Sequence, residues 1–229
     1  MENLFAPLRT AENFFKNRVV MAPMTRGRAT NPGLVPTELM AKYYAQRAGA
    51  GLQISEGTWI SHEAIGFMNV PGLFSEDQVE GWQTVTTAVH RKGGSIFAQI
   101  AHCGPTANGP SLNGKPPLAP SAVNAKFEVM TPQGRKPTET PRAMTREDIR
   151  RTVADYKAAA KNAKSAGFDG VELHGSMIYL VPSFFTEEVH DGMHSSARLS
   201  GDKSMWEARL WTEMNKKRIY CSSYTWRID

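Results

Sequence analysis

Cysteine is scarce: Cys103 and Cys221 are the only two in 229 residues. Two thiols in a chain this long do not make a disulfide scaffold, and no Cys-x-x-Cys pair offers a structural zinc site. His190 and His194 are four apart, but Gly192 lies between them and no Glu follows His190, so a surface loop is expected there and no metal. Long apolar runs are also missing. The longest are a handful of residues, against the ~20 that cross a bilayer, and no membrane partner is expected. The first residues, Met1-Glu-Asn-Leu-Phe-Ala-Pro7, carry neither a basic nor an apolar leader segment. A cytoplasmic location follows as the expectation. No Gly-x-Gly-x-x-Gly follows the first strand-like run, and no Gly-x-x-x-x-Gly-Lys-[Ser/Thr] occurs. Rossmann and P-loop nucleotide binding thereby lose their main support.

What remains is ordinary globular material, with 41% apolar and 21% charged residues. The net charge of +5 comes from scattered bases, and the one tight run is Lys216-Lys217-Arg218. That pattern reads as a solvated surface with modest attraction for an anionic cofactor or substrate, and no nucleic-acid partner is expected.

Strand-like and helix-like segments alternate. Arg18–Met24 reads as a strand, and a helix follows from Thr37 to Gly49 or Gly51. Leu52–Ser55 is the next strand, continuing toward Trp59. Ser75 and Gln78 form a capping-box pair ahead of Val79, Trp82, Val85 and Val89, and Gly93-Gly94 ends that helix. Ser95–Ala101 is a third strand. Thr145 caps a third helix that Gly167 ends, and Phe168–Leu173 is a fourth strand. Strands alternating with helices mean parallel pairing with right-handed crossovers, in a doubly wound sheet or a (β/α)8 barrel. Between Gly104 and Arg142 lie eight of the fourteen prolines. That segment reads as a long binding loop or lid at the C-terminal end of the third strand. Beyond Val189 the pattern breaks up, with one helix plausible around Lys203–Arg218.

Each strand ends in groups able to hydrogen-bond or to expose backbone: Pro23-Met24-Thr25, Ser55-Glu56-Gly57, Gln99 through His102, and His174-Gly175. In a parallel barrel those ends share one mouth. Cys103 beside His102 reads as an unreactive pair, since neighbours along a strand point to opposite faces.

These residues carry a resemblance. The matching text is Asn17-Arg-Val-Val-Met-Ala-Pro-Met-Thr-Arg26, Tyr43-Tyr-Ala-Gln-Arg-Ala48 and Gly51-Leu-Gln-Ile-Ser-Glu56. It continues through Pro71-Gly72, Ser75 to Trp82, Val89-His90, Phe97-Ala-Gln99 and Pro120-Ser121. It ends with Ala166-Gly-Phe-Asp-Gly-Val-Glu-Leu-His-Gly175, Tyr179-Leu180 and Phe184-Phe185. From residue 3 to about 189 the chain resembles the Old Yellow Enzyme family of FMN-dependent ene-reductases, of the N-ethylmaleimide reductase and 12-oxophytodienoate reductase type. The resemblance implies an α/β fold of the (β/α)8 TIM-barrel family. It implies an oxidoreductase that reduces the C=C bond of α,β-unsaturated carbonyl compounds with NADPH or NADH, and small-molecule enones as substrates. By the same resemblance Pro23, Met24, Thr25, Gly57 and Gln99 line the flavin. His174 meets the flavin site and the substrate carbonyl, and Tyr179 is the proton donor.

The chain departs from the family pattern at three places. The carbonyl-binding pair, usually His-x-x-Asn or His-x-x-His, reads His174-Gly-Ser-Met177, and a thioether donates no hydrogen bond. The Gln-Leu-Trp-His-x-Gly-Arg signature reads Gln99-Ile-Ala101-His102-Cys103-Gly104-Pro105. Ala101 and Met177 thus imply a wider substrate pocket. The third departure is extent. A (β/α)8 barrel takes about 250 residues, yet four β-α units are legible. The expectation is about the first half of a barrel over residues 1–189, with a divergent tail over 190–229. Open sheet edges would favour self-association. Two alternatives stand beside the reductase: a truncated, non-catalytic homologue, and a flavin-fold enzyme turned to isomerisation or cyclisation.

Overall fold

The computed structural model describes residues 3–10, 13–131, 133–175 and 179–184, and the backbone of 188–189, 193–194 and 219–222. In chain order the elements are β1 (Leu8–Arg9), β2 (Phe14–Phe15), β3 (Val20–Met21), α1 (Glu38–Ala45), β4 (Leu52–Trp59), α2 (Glu76–His90) and β5 (Ile96–Ala101). Then come β6 (Leu118–Ala119), β7 (Glu128–Thr131), β8 (Gly134–Pro137), β9 (Arg142–Ala143), α3 (Arg146–Ser165), β10 (Gly170–His174), α4 (Leu180–Ser183), β11 (Glu188–Val189), β12 (Met193–His194) and β13 (Ile219–Ser222).

Five strands form one sheet in the order β13-β10-β5-β4-β3. The run β3, β4, β5, β10 follows chain order, and each step passes through a helix, the crossover that parallel neighbours require. β3 and β4 pair in parallel, Val20 with Leu52 and Met21 with Gln53. All six residues of β5 are buried, as expected of a central strand covered on both faces. The fifth strand, β13, comes from the tail, where the sequence offered no strand. The expected helix over 203–218 lies outside the described residues.

The helices form where the sequence places their signals. Ser75 Oγ accepts from Gln78 N–H at 3.3 Å while Gln78 Oε1 accepts from Ser75 N–H at 3.2 Å, completing the capping box. Gly93, at φ +67°, closes α2 in the left-handed conformation that glycine adopts without strain. In α3, Ile149, Thr152, Tyr156, Ala159 and Ala163 are buried at alternating spacings of three and four, the stripe of an amphipathic helix. Gly51 is required by close approach: a Cβ there would strike the Asn17 carbonyl.

The proline-rich segment, read as a long loop, contains short paired strands. β7 and β8 form an antiparallel hairpin, Glu128 opposite Pro137 and Thr131 opposite Gly134, and β6 pairs with β9 in parallel. Gly134, at φ +96°, serves the turn, and Pro137 occupies a strand end, where a missing N–H is tolerated.

The chain divides into two compact units. The first comprises Met1–Thr58, Asn69–Gln99 and Ala159–Glu172, and the second Trp59–Met68, Ile100–Ala158 and Leu173–Asp229. The first has a core of Tyr44, Trp82, Val85, Val89, Ile96 and Phe168. Trp82 lies centrally, its ring 5.0 Å from Phe168 and 6.2 Å from Tyr44, and its indole N–H donates to the Gly72 carbonyl at 3.0 Å. The second unit buries Ile60, Ile100, Ile149, Tyr156, Leu173 and Leu180. In it, Asp148 accepts both arms of the Arg142 guanidinium at 2.7 and 3.0 Å and one from Arg151 at 2.6 Å. Arg142 therefore holds the Asp148 carboxyl well below the usual carboxylate range, and the pair fastens the end of the long loop to the first turn of α3. Among the described residues no helix is long and apolar enough to cross a membrane.

Candidate active site

In the first unit the candidate residues gather around the end of β4. Thr25 and Met24 are exposed, Met24 by 46%, and Pro23 is half-buried. The loop they occupy is held from beneath by Glu56. Its Oε2 accepts from Arg26 N–H at 2.9 Å and Gly27 N–H at 3.0 Å, and its own N–H donates to the Tyr44 hydroxyl at 2.8 Å. Burial raises the Glu56 pKa, opposed by those two N–H donors. Glu56 closes the quoted motif Gly51–Glu56, but its anchoring role was not legible there, because both donors are backbone groups some thirty positions away.

Gly57 follows Glu56 and is half-buried. Gln99, on β5, is 4% exposed. Its amide Nε2 donates to Glu172 Oε1 at 2.6 Å, and its backbone N–H donates to Ser55 Oγ at 3.0 Å. One amide proton is thereby committed, and the amide plane is set by Glu172. The sequence singled out Gln99 without this partner. A lone acid inside the apolar run Val171-Glu172-Leu173 was the available signal, since buried acids are rare unless paired.

In the second unit, His174 ends β10 and Tyr179 stands just before α4. The two rings meet edge to face, with centroids 4.6 Å apart and planes at 74°, the arrangement that ring quadrupoles favour. Tyr179 also touches Phe67, 6.4 Å away, which stacks on Trp59 at 6.4 Å. Neither Phe67 nor Trp59 was marked as a site residue by sequence reasoning. Burial lowers the His174 pKa to about 4, so the imidazole is neutral at pH 7. Its Nδ1 is buried without a partner among the described residues. Burial, reinforced by Cys103, pushes the Tyr179 phenol well above the usual range. Ala101 is fully buried at the end of β5. Met177 lies outside the described residues, as does His190.

His102 is 2% exposed. Its Nδ1 accepts from Gly104 N–H at 3.0 Å, which assigns the ring proton to Nε2 in the neutral form, and burial lowers its pKa to about 3. The sign of the linkage follows. An unfolded histidine binds a proton near pH 6.5, whereas folded His102 and His174 resist protonation down to about 3 and 4. Stability is therefore fully present above about pH 6.5 and falls as pH drops through the window below it. The thermal midpoint should decline from pH 6.5 to 4, and His102→Gln should make the decline shallower. An equal slope in the variant would remove His102 from the account.

Comparison with known proteins agrees with the fold. A flavin oxidoreductase of Emericella nidulans is 44% identical over 196 residues, covering 83% of this chain and 50% of the relative. The structure of an old yellow enzyme homologue from Zymomonas mobilis matches with a TM-score of 0.82 at 43% identity, over 95% of this chain and 62% of that one. Morphinone reductase in complex with tetrahydroNAD matches with a TM-score of 0.85 at 35% identity, over 96% and 63%. The chain thus spans half to three fifths of the length of these relatives, a partial TIM barrel. The model of the NADH:flavin oxidoreductase / NADH oxidase family matches residues 3–192, and the chain belongs to that family, within its old yellow enzyme branch.

Proposed function

We propose that this chain carries the flavin- and substrate-recognition half of an FMN-dependent ene-reductase, which reduces the C=C bond of a small α,β-unsaturated carbonyl compound with NADPH or NADH in the cytoplasm. The observation that carries the reading is the edge-to-face pair of a neutral His174 and a protonated Tyr179, with His174 Nδ1 buried and unpartnered among the described residues. An unpartnered buried nitrogen costs stability unless a ligand meets it. The residues present fit a flavin ring: an exposed Thr25 hydroxyl on a loop fastened by Glu56, a half-buried Gly57, and a Gln99 amide whose plane Glu172 fixes.

When bound, FMN supplies the ring that takes hydride from a nicotinamide and passes it to the substrate β-carbon. The chain's own residues do the rest. Thr25 and Gln99 would hold the ring by hydrogen bonds, and Pro23 and Met24 would line it. The His174 imidazole donates to the carbonyl oxygen as negative charge builds there, where each donor is worth about 10²–10³ in rate. It does so as a neutral group, so its strength stays constant from about pH 5 upward. The Tyr179 phenol stays protonated into alkaline pH and delivers its proton to the α-carbon. The β3 edge of the sheet, where Val20 is 54% exposed, belongs to the same reading as a place for self-association.

Purified chain titrated with FMN should quench flavin fluorescence stoichiometrically, and the loaded protein should oxidise NADPH or NADH in the presence of 2-cyclohexenone. Flavin binding without enone reduction would point to the isomerase or cyclase alternative. Absence of flavin binding would point to a non-catalytic homologue.

A further inference from the structure

The Gln99 side chain makes one hydrogen bond among the described residues, from Nε2 to Glu172 Oε1 at 2.6 Å. Both residues are 4% exposed, and both belong to the first unit. Their strands, β5 and β10, are neighbours in the sheet. Two residues earlier on each strand, Gly170 packs on Phe97, so closely that a Cβ on the glycine would stand 2.7–2.8 Å from the ring. Side chains two apart on a strand share a face, so Phe97 and Gln99 look toward Gly170 and Glu172 in one register. The Gln99 backbone is held as well. Its N–H donates to Ser55 Oγ at 3.0 Å, and Ser55 Oγ gives its own proton to the Glu56 carbonyl at 2.9 Å. What stays uncommitted among the described residues is Gln99 Oε1 and one Nε2 proton, in a residue almost wholly removed from water. Such groups cost stability unless a ligand meets them.

We propose that Glu172 is a positioning residue for Gln99: by taking one Nε2 proton it fixes which way round the amide stands, so that Gln99 meets the pyrimidine edge of a flavin with Oε1 and the remaining N–H. An amide can turn half a rotation about its last bond and exchange oxygen for nitrogen with little change of shape. A carboxylate oxygen accepts and has no proton to give, so the nitrogen is the atom that faces it. One of the two orientations is thereby removed before any ligand arrives. The pyrimidine edge carries an N–H beside carbonyls, and an amide already set with acceptor and donor side by side loses less freedom on meeting it. The inference rests on the reading of this chain as a flavin enzyme, and its test separates the two.

FMN affinity of the purified chain, read by fluorescence quenching, supplies a double-mutant cycle. Glu172→Met and Gln99→Met should each weaken FMN binding on the order of fivefold, the worth of one ordinary hydrogen bond. The double variant should bind no more weakly than Gln99→Met alone, because Glu172 acts through the amide. Losses that multiply in the double variant overturn the proposal. Glu172→Gln keeps an oxygen acceptor and should bind FMN within about twofold of the unaltered chain; binding as weak as that of Glu172→Met also overturns it. The flavin-free protein gives a second readout by nuclear magnetic resonance. The two Nε2 protons of Gln99 should resonate far apart, because one of them alone meets a carboxylate, and Glu172→Met should bring them together. Near-equal shifts in the unaltered protein, or shifts that the substitution leaves in place, overturn the proposal. If the unaltered chain binds no FMN, the reductase reading falls, while those resonances still decide whether Glu172 sets the Gln99 amide.

Discussion

Tyr179→Phe should slow the oxidative half-reaction with an enone by roughly 10²-fold or more, the usual worth of a positioned general acid, and leave the reductive half-reaction with nicotinamide nearly untouched. The substitution removes one oxygen and keeps the ring, so the edge-to-face contact with His174 and the contact with Phe67 persist. What disappears is the proton. Burial keeps the phenol protonated well past neutral pH, so the oxidative rate of the unaltered protein should not fall between pH 7 and 9 through loss of that proton. Rapid-mixing traces of the two half-reactions decide the matter. Slowing both to the same degree would mean that the phenol supports flavin geometry and does not donate the proton.

Trp82→Ala should cost about 3–5 kcal/mol of unfolding free energy, the range for removing a large aromatic from a core. That is a large part of the roughly 5–15 kcal/mol that holds a typical domain together. Two effects add. The indole is fully buried against Phe168 and Tyr44, so truncation leaves a cavity that the surrounding rings cannot fill. The Gly72 carbonyl also loses the indole N–H at 3.0 Å and is left without that donor. Trp82→Phe, which refills most of the volume but restores no donor, should cost appreciably less. Denaturant titration measures both. A cost below about 1 kcal/mol for the alanine variant would mean that this core collapses around the gap.

Legibility in the sequence followed the range of the interactions. The α2 cap could be read from Ser75 and Gln78 because both partners sit within one turn. The hairpin β7–β8 could not, because the prolines of its segment argue against strands, yet Glu128 stands opposite Pro137 in an antiparallel pair. Gln99 stood out as a polar residue in an apolar strand, and Glu172 did not. Their hydrogen bond joins positions 73 apart, and no local pattern expresses that. The same holds for Glu56, whose carboxylate answers donors across the β3–α1 connection.

The sequence by itself determined the alternation of strands and helices, the ends of the helices and the residue types at the strand ends, and its resemblance to the Old Yellow Enzyme family implied the barrel type. Periodicity, caps and short motifs are local, and local chemistry is written along the chain. Only the tertiary structure decided the electrical state of the site. His174 and His102 are neutral, and Tyr179 and Glu56 are pushed up, because burial disfavours charge. It also decided that Cys103, read from its place beside a strand as an inert neighbour of His102, is fully buried with Gly66 packed against its sulfur. Burial and contact are properties of the packed chain, set by residues distant in sequence, and they exist only once the chain has folded.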